Sequence, residues 1–249
     1  VDTKNAKISN NRYFNKNVSP YMRRRNIAFD INSVKPNTRF YSFIDNISID
    51  ELLVPKFIEI EMIAGAFTVG EDVLGFVEID DKKGDVPNIN FRLSSTNHMS
   101  GSYDNPSKTY DRNPYDDTVL QSTYSQTSTV LNVDTQSLSS MFISKYYGQI
   151  QTGMILVGKS SGAQAKISDI RLISNKEGIL QGVISIPKPN GLNKKFLTGK
   201  KTILFNSDKF NSPLSESSFA ETIFESSGFV PLSEGGIISE ESDIKTAPR

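Results

Sequence analysis

The feature that most constrains this chain is a repeated alternation of apolar and polar residues broken by turn-forming clusters. Asn26–Ile31 sets Ile27, Phe29 and Ile31 on one side and Asn26, Ala28 and Asp30 on the other. Lys56–Ile63 repeats the pattern, with Ile58, Ile60 and Met62 against Glu59 and Glu61. A period of two places alternate side chains on opposite faces of a pleated strand, so both segments read as half-buried strands. Between them, Lys35-Pro36-Asn37-Thr38 breaks the first run: Pro presets φ and Asn tolerates the left-handed region, which makes a turn. Arg39–Ile44 then reads as an aromatic strand. The spacing predicts further strands over Thr129–Val133, Ile179–Pro187 and Phe196–Phe205. A helix is expected over Leu138–Tyr147, where a strand is the alternative. Ser212–Ser227 reads either as a short helix or as an edge strand. The fold class is therefore all-β with antiparallel sheets.

Two stretches share a skeleton. "FTVGEDVLGFVEI" (Phe67–Ile79) and "IQTGMILVGKSSGAQAKI" (Ile150–Ile167) both place Gly before and after an apolar run. They read as a degenerate internal repeat in which each Gly marks a tight turn or bulge. Asp80–Ser128 is the most polar part and carries Tyr103, Tyr110, Tyr115 and Tyr124. Tyrosine is apolar along its ring and polar at its tip, so these four are candidate interface residues in a long, mobile loop. Residues 1–19 are rich in Asn and Lys and read as an arm.

Charge and composition exclude several classes. Lys plus Arg and Asp plus Glu each number 28 in 249 residues, so the chain lacks the basic excess that nucleic acid demands. Hydrophobic residues make up 37%, which leaves much of the chain for surface, loop or interface. There is no cysteine, which removes disulfides and thiolate metal sites. No apolar run approaches the roughly 20 residues that span a membrane, and no signal pattern opens the chain. It starts on Val1, as expected of a processed chain or of part of a longer one.

Candidate chemistry is sparse. The single histidine, His98, sits among Ser, Asn and Gly and reads as an ordinary loop residue. "DDKKGD" (Asp80–Asp85) reads as a charged hairpin tip, because the spacing and closing Glu of a calcium loop are missing. "GKSSG" (Gly158–Gly162) lacks the four-residue spacing of a phosphate-binding loop. Arg23, Arg24 and Arg25 form a short basic cluster suited to a carboxylate neighbour or a charged strand edge. The expectation is a non-enzymatic chain with no cofactor and no metal.

Three segments carry a family resemblance. "PYMRRRNIAFDINSVKPNTRFYSFIDNISI" (Pro20–Ile49) resembles a run in virion proteins of large contractile-tailed bacteriophages, cyanophages among them. "GILQGVISIPKPNGLNKKFLTGKKTILFNSD" (Gly178–Asp208) and "SSFAETIFESSGFVPLSEGGIISEESDIKTAPR" (Ser217–Arg249) are similar to that family's following elements. Ser33-Val34 departs from the usual Gly-Leu before the corner, and Asp80–Ser128 has no counterpart. The resemblance implies a β-sandwich-like outer domain from residues 20–61 plus 175–227. Inserted in it would be a second β domain, 62–174, carrying the Tyr-rich loop 80–128, with extended arms at 1–19 and 228–249. It implies a structural protein of the virion tail, at the baseplate or fibre attachment region. Its partners would be other virion proteins and copies of itself, with no nucleic acid and no membrane. Pro36, Asn37 and Thr38 would be its structural turn. A tail-fibre module that binds a host surface glycan through the tyrosine loop is the alternative, and a polysaccharide depolymerase or peptidoglycan hydrolase carried on the tail is a third.

Overall fold

The computed structural model describes residues 20–79, 82–140, 145–191, 193–212 and 217–226. The expected arms at 1–19 and 228–249 lie outside these. The described residues are nearly all β, and their strands pair antiparallel throughout. The alternation read from the sequence is obeyed in β1 (Arg25–Ile31), where Ile27, Phe29 and Ile31 pack on a core while Ala28 and Asp30 are exposed.

Two sheets face each other around that core. β2 (Arg39–Ile44) pairs with β3 (Ile47–Ser48) through a turn at Asp45 and Asn46, both at positive φ. A single 3-10 turn (Asp50–Leu52) leads into β4 (Leu53–Pro55). β17 (Leu180–Ile186) lies between β1 and β4 in a three-stranded sheet. Opposite it, β16 (Leu172–Ile173), β2, β18 (Gly199–Asn206) and β19 (Phe219–Ser226) lie in that order, with β3 added on β2. Phe40, Ile44, Leu180, Ile184, Ile203 and Phe205 fill the space between, and the Phe29 and Phe205 rings meet at 4.5 Å.

The second core belongs to a seven-stranded sheet. Its order is β12 (Val130–Asn132), β5 (Phe57–Ala64), β15 (Gln164–Asp169), β14 (Ile155–Gly158), β6 (Asp72–Phe76), β9 (Ile89–Arg92) and β13 (Tyr147–Gly148). Two small hairpins stand apart: β7 (Glu78–Ile79) with β8 (Lys82–Lys83), and β10 (His98–Gly101) with β11 (Pro106–Thr109). The three-stranded sheet serves both cores. Leu53 and Ile184 face the first, whereas their neighbours Val54 and Val183 face the second. Adjacent residues of a strand point oppositely, so β4 and β17 are buried on both faces and read as nearly unbroken apolar runs.

Three expectations are corrected here, and one alternative is decided. The helix is α1 (Thr135–Ser139), earlier than Leu138–Tyr147, because the Asp134 carboxylate accepts the Ser137 N–H at 3.2 Å and starts it there. Residues 141–144 of the expected helix lie outside the described residues, and Tyr147 is in β13. The polar stretch 80–128 is not a free loop: it contains β9, whose Ile89 and Phe91 are fully buried. The boundary placed between residues 61 and 62 falls inside β5, which pairs along its length in the seven-stranded sheet. Of the two readings of Ser212–Ser227, the edge strand holds as β19, while residues 213–216 and 227 lie outside the described residues.

Candidate functional site

The Pro-Asn-Thr corner is built into a joint. Asn37 adopts a φ of 46°, the left-handed conformation that asparagine tolerates. The facing turn at 174–178 takes up its backbone groups. Ser174 Oγ accepts the Thr38 N–H at 3.0 Å and donates to the Lys35 carbonyl at 2.6 Å. Val34 N–H donates to the Gly178 carbonyl at 3.1 Å. Gly178 has a φ of 72°, and a Cβ there would sit 2.1 Å from the Val34 carbonyl oxygen. The corner between β1 and β2 is thus tied to this turn through Val34, Lys35, Asn37 and Thr38, while Pro36 accepts only from the Thr38 hydroxyl within the corner.

Beside the joint opens a polar groove of about 560 Å³. Asn37, Asp111, Arg112, Asp117, Lys176 and Glu177 are among the residues that line it. Its charges are matched locally: Lys176 lies 3.0 Å from Asp111, and Arg112 lies 3.4 Å from Asp117. Lys176 is held above the usual lysine range by its hydrogen bond to Asp111.

The tyrosines lie inward, which corrects their reading as interface residues. Tyr110 is buried and donates to Gln181 Oε1 at 2.8 Å. Tyr124 is buried, donating to the Ser94 carbonyl at 2.6 Å and accepting from the Asn132 N–H. The Tyr115 hydroxyl lies 2.6 Å from the Phe57 carbonyl and 2.9 Å from that of Arg171, and donates to one of them. Burial pushes all three phenols well above the ordinary tyrosine range. Tyr103 is half-buried, with the Arg92 guanidinium 3.9 Å from its ring centre. Arg92 in turn donates through Nε to Asp134 at 2.8 Å. The physical reason is hydrophobic gain: a polar stretch of this length stays attached by burying rings and satisfying their hydroxyls.

His98 is likewise interior, contrary to its reading as a loop residue. It is 4% exposed, and Nδ1 accepts from Lys56 Nζ at 2.9 Å. Lys56, 3% exposed, joins β4 to β5 and also donates to the Val133 carbonyl at 2.7 Å. With Nδ1 accepting, the His98 proton sits on Nε2, which faces the Gly101 carbonyl at 3.3 Å. Burial draws Lys56 down to about 7, against the pull of Asp134 and Asp30. Burial, then the Lys56 charge, draws His98 down to about 4. Sequence reading missed this pair although Lys56 stands in register with the core-facing Ile58 and Ile60, because its partner His98 lies 42 residues along the chain.

The two glycine phrases are neighbours in space. β6 and β14 pair antiparallel, with Gly75 opposite Leu156 and Val73 opposite Gly158. The Gly158–Gly162 loop does bind an anion, and that anion is internal. Glu71, buried beneath it, accepts from the Ser160 and Ser161 N–H groups at 3.1 and 3.0 Å, from the Ser161 hydroxyl at 2.8 Å, and from the Thr68 N–H at 2.6 Å. A Cβ on Gly158 would meet both Glu71 oxygens at 2.7 Å. Among the described residues no cluster of His, Cys, Asp and Glu is placed to hold a metal ion.

Where polar groups turn inward, large apolar ones turn out. Phe210 is 84% exposed, Ile223 67% and Phe219 64%. Phe219 and Ile223 alternate with Glu221 and Glu225 on the outer face of β19. Of the arginine cluster, Arg23 and Arg24 are exposed, Arg24 lies over Tyr147 at 5.2 Å and Arg25 over Phe224 at 5.5 Å. Arg25 therefore covers the end of β19. No family model matches the chain, and no curated protein or solved structure matches it.

Proposed function

We propose that this chain is a structural component of a tailed-phage virion, in the tail at the baseplate or fibre attachment region, working by protein–protein assembly rather than catalysis. The observation that carries the assembly reading is the exposed apolar set on one sheet: Phe219 and Ile223 on β19 and Phe210 on the turn before it. Large apolar side chains held in water on a strand edge suit a surface that another protein covers. The ionisable groups support the same reading. Glu71, Lys56, Asp134 and Arg171 are each tied into hydrogen bonds that hold the fold. The virion assignment rests on the resemblance of Pro20–Ile49, Gly178–Asp208 and Ser217–Arg249 to contractile-tail phage proteins.

Glycan recognition by the tyrosine loop finds no support, because the rings that would stack on sugar are packed against protein. Antibodies against the purified chain, applied to intact particles of a phage that encodes it, test the proposal. Label at the tail tip is the expected result. Absence of the chain from purified particles would sink the virion reading.

A further inference from the structure

β19 pairs with β18 along its whole length, from Ser226 opposite Gly199 to Phe219 opposite Asn206. Its other edge meets no strand among the described residues. The other edges are shorter or covered. β13 and β16 are two residues long, β4 and β12 three, and the hairpin strands β10 and β11 four. β1 is crossed by α1, with the Asn26 side chain donating to the Leu138 carbonyl at 2.7 Å. β19 is thus the long open edge among the described residues, an eight-residue strand with one side unpaired and two exposed apolar side chains. Such an edge is a template for strand addition.

We infer that the occupant is β19 of a second copy, paired antiparallel about a two-fold axis at Thr222. The strand is compatible with a copy of itself, and charge selects this register. Directly opposite residues of an antiparallel pair share a face, so the exposed set Phe219, Glu221, Ile223 and Glu225 must meet the same set. Centring the axis on Ile223 puts Glu221 opposite the partner's Glu225 twice. Centring it on Glu221 puts that carboxylate opposite the partner's Glu221. With the axis at Thr222, Glu221 faces the partner's Ile223 and Phe219 faces the partner's Glu225, across the seven residues Phe219–Glu225. No carboxylates oppose directly, and Ala220 meets the partner's Phe224 on the other face. The chain's balanced formal charge, 28 against 28, adds no net repulsion between copies. The two five-strand assemblies then join into one continuous sheet through an isologous contact.

This deepens the assembly reading and rests on it, yet the two fail separately. A dimer missing from particles defeats the virion assignment alone, and a monomer found in particles defeats the dimer alone. Sedimentation velocity of the full chain over a concentration series reads the outcome. A monomer–dimer equilibrium is expected. Ile223→Glu places two like-charge pairs across the axis and should weaken association roughly tenfold. Ile223→Lys faces the partner's Glu221 and should leave association equal or tighter. Adding Glu221→Lys to Ile223→Glu should restore it. Far-UV circular dichroism of each variant verifies that the fold is intact, since these side chains point to solvent. A chain that stays monomeric at every concentration overturns the inference, as does a dimer indifferent to all three changes. A chain whose own residues 227–249 cover the edge gives the monomer result.

Discussion

Lys56→Met is the perturbation whose effect is most closely fixed by the structure. The ordinary lysine amine titrates at 10.5, and burial draws the folded one down to about 7. Between these values the unfolded chain holds a proton that the native chain has shed. Stability therefore rises with pH through this window, and below pH 7 the full cost of the buried ammonium is in force. A gap of 3.5 units, from 10.5 to about 7, corresponds to about 5 kcal/mol in all. From pH 7 to pH 9 the native protein should gain about 2 kcal/mol. Lys145, held above the usual range by Tyr146 and then Asp72, and Lys176, held there by Asp111, act only above this window. Methionine keeps the length of the side chain and removes the titrating group, so the gain should vanish. The chain has no tryptophan. Urea unfolding followed by far-UV circular dichroism at pH 7, 8 and 9 is the suitable assay, with equal m-values required for comparison. The variant's absolute stability decides nothing, because losing the donor to the Val133 carbonyl and to His98 opposes the relief of charge burial. A wild-type curve flat from pH 7 to 9, or a variant that keeps the wild-type slope, would refute the reasoning.

Three further outcomes test other parts of the structure. His98, drawn down to about 4 from 6.5, should cost the native state about 2 kcal/mol as pH falls from 6.5 to 5, since the unfolded imidazole takes the proton first; an acid limb unchanged in His98→Gln would contradict this. Glu71→Gln leaves an amide where five N–H and O–H donors converge, and should cost roughly 2 kcal/mol. Amide hydrogen exchange at Ser160 and Ser161 should quicken, and unchanged rates would argue that the loop holds its shape without the carboxylate. Gly178→Ala should lower stability by roughly 1–3 kcal/mol from its backbone conformation alone. Its Cβ would also displace the Val34 carbonyl, so the denaturation midpoint should fall further than for Pro36→Gly, whose effect is roughly 0.4–1 kcal/mol.

The strands were legible because half-buried strands write their period into the sequence. β1, β5, β12 and β17 fall within two residues of where the alternation places them. The Pro-Asn-Thr corner was legible for a different reason: few residues accept the left-handed region, so Asn37 announces the turn. Other features depend on partners far along the chain. Glu71 meets Ser161 across 90 residues, and Lys56 meets His98 across 42, so no local pattern marks either pair. The tyrosines misled because composition reports polarity and not direction. Tyr110 and Tyr115 sit among Asp, Asn and Arg, which are exposed in large part, while the rings turn inward. β9 was lost in the same polar surroundings, though Ile-Asn-Phe-Arg-Leu carries the alternation on which the other strands were found.

The double-sided burial of β4 and β17 bears on how this chain can change over evolutionary time. A segment inserted through exposed loops behaves as a cassette that recombination can exchange. Here Val54 and Val183 lie outside residues 62–174, yet they complete the core that those residues build. Any replacement for that stretch must present a surface matched to two valines it does not encode. Variation by exchange is therefore confined to pieces that leave this shared wall intact.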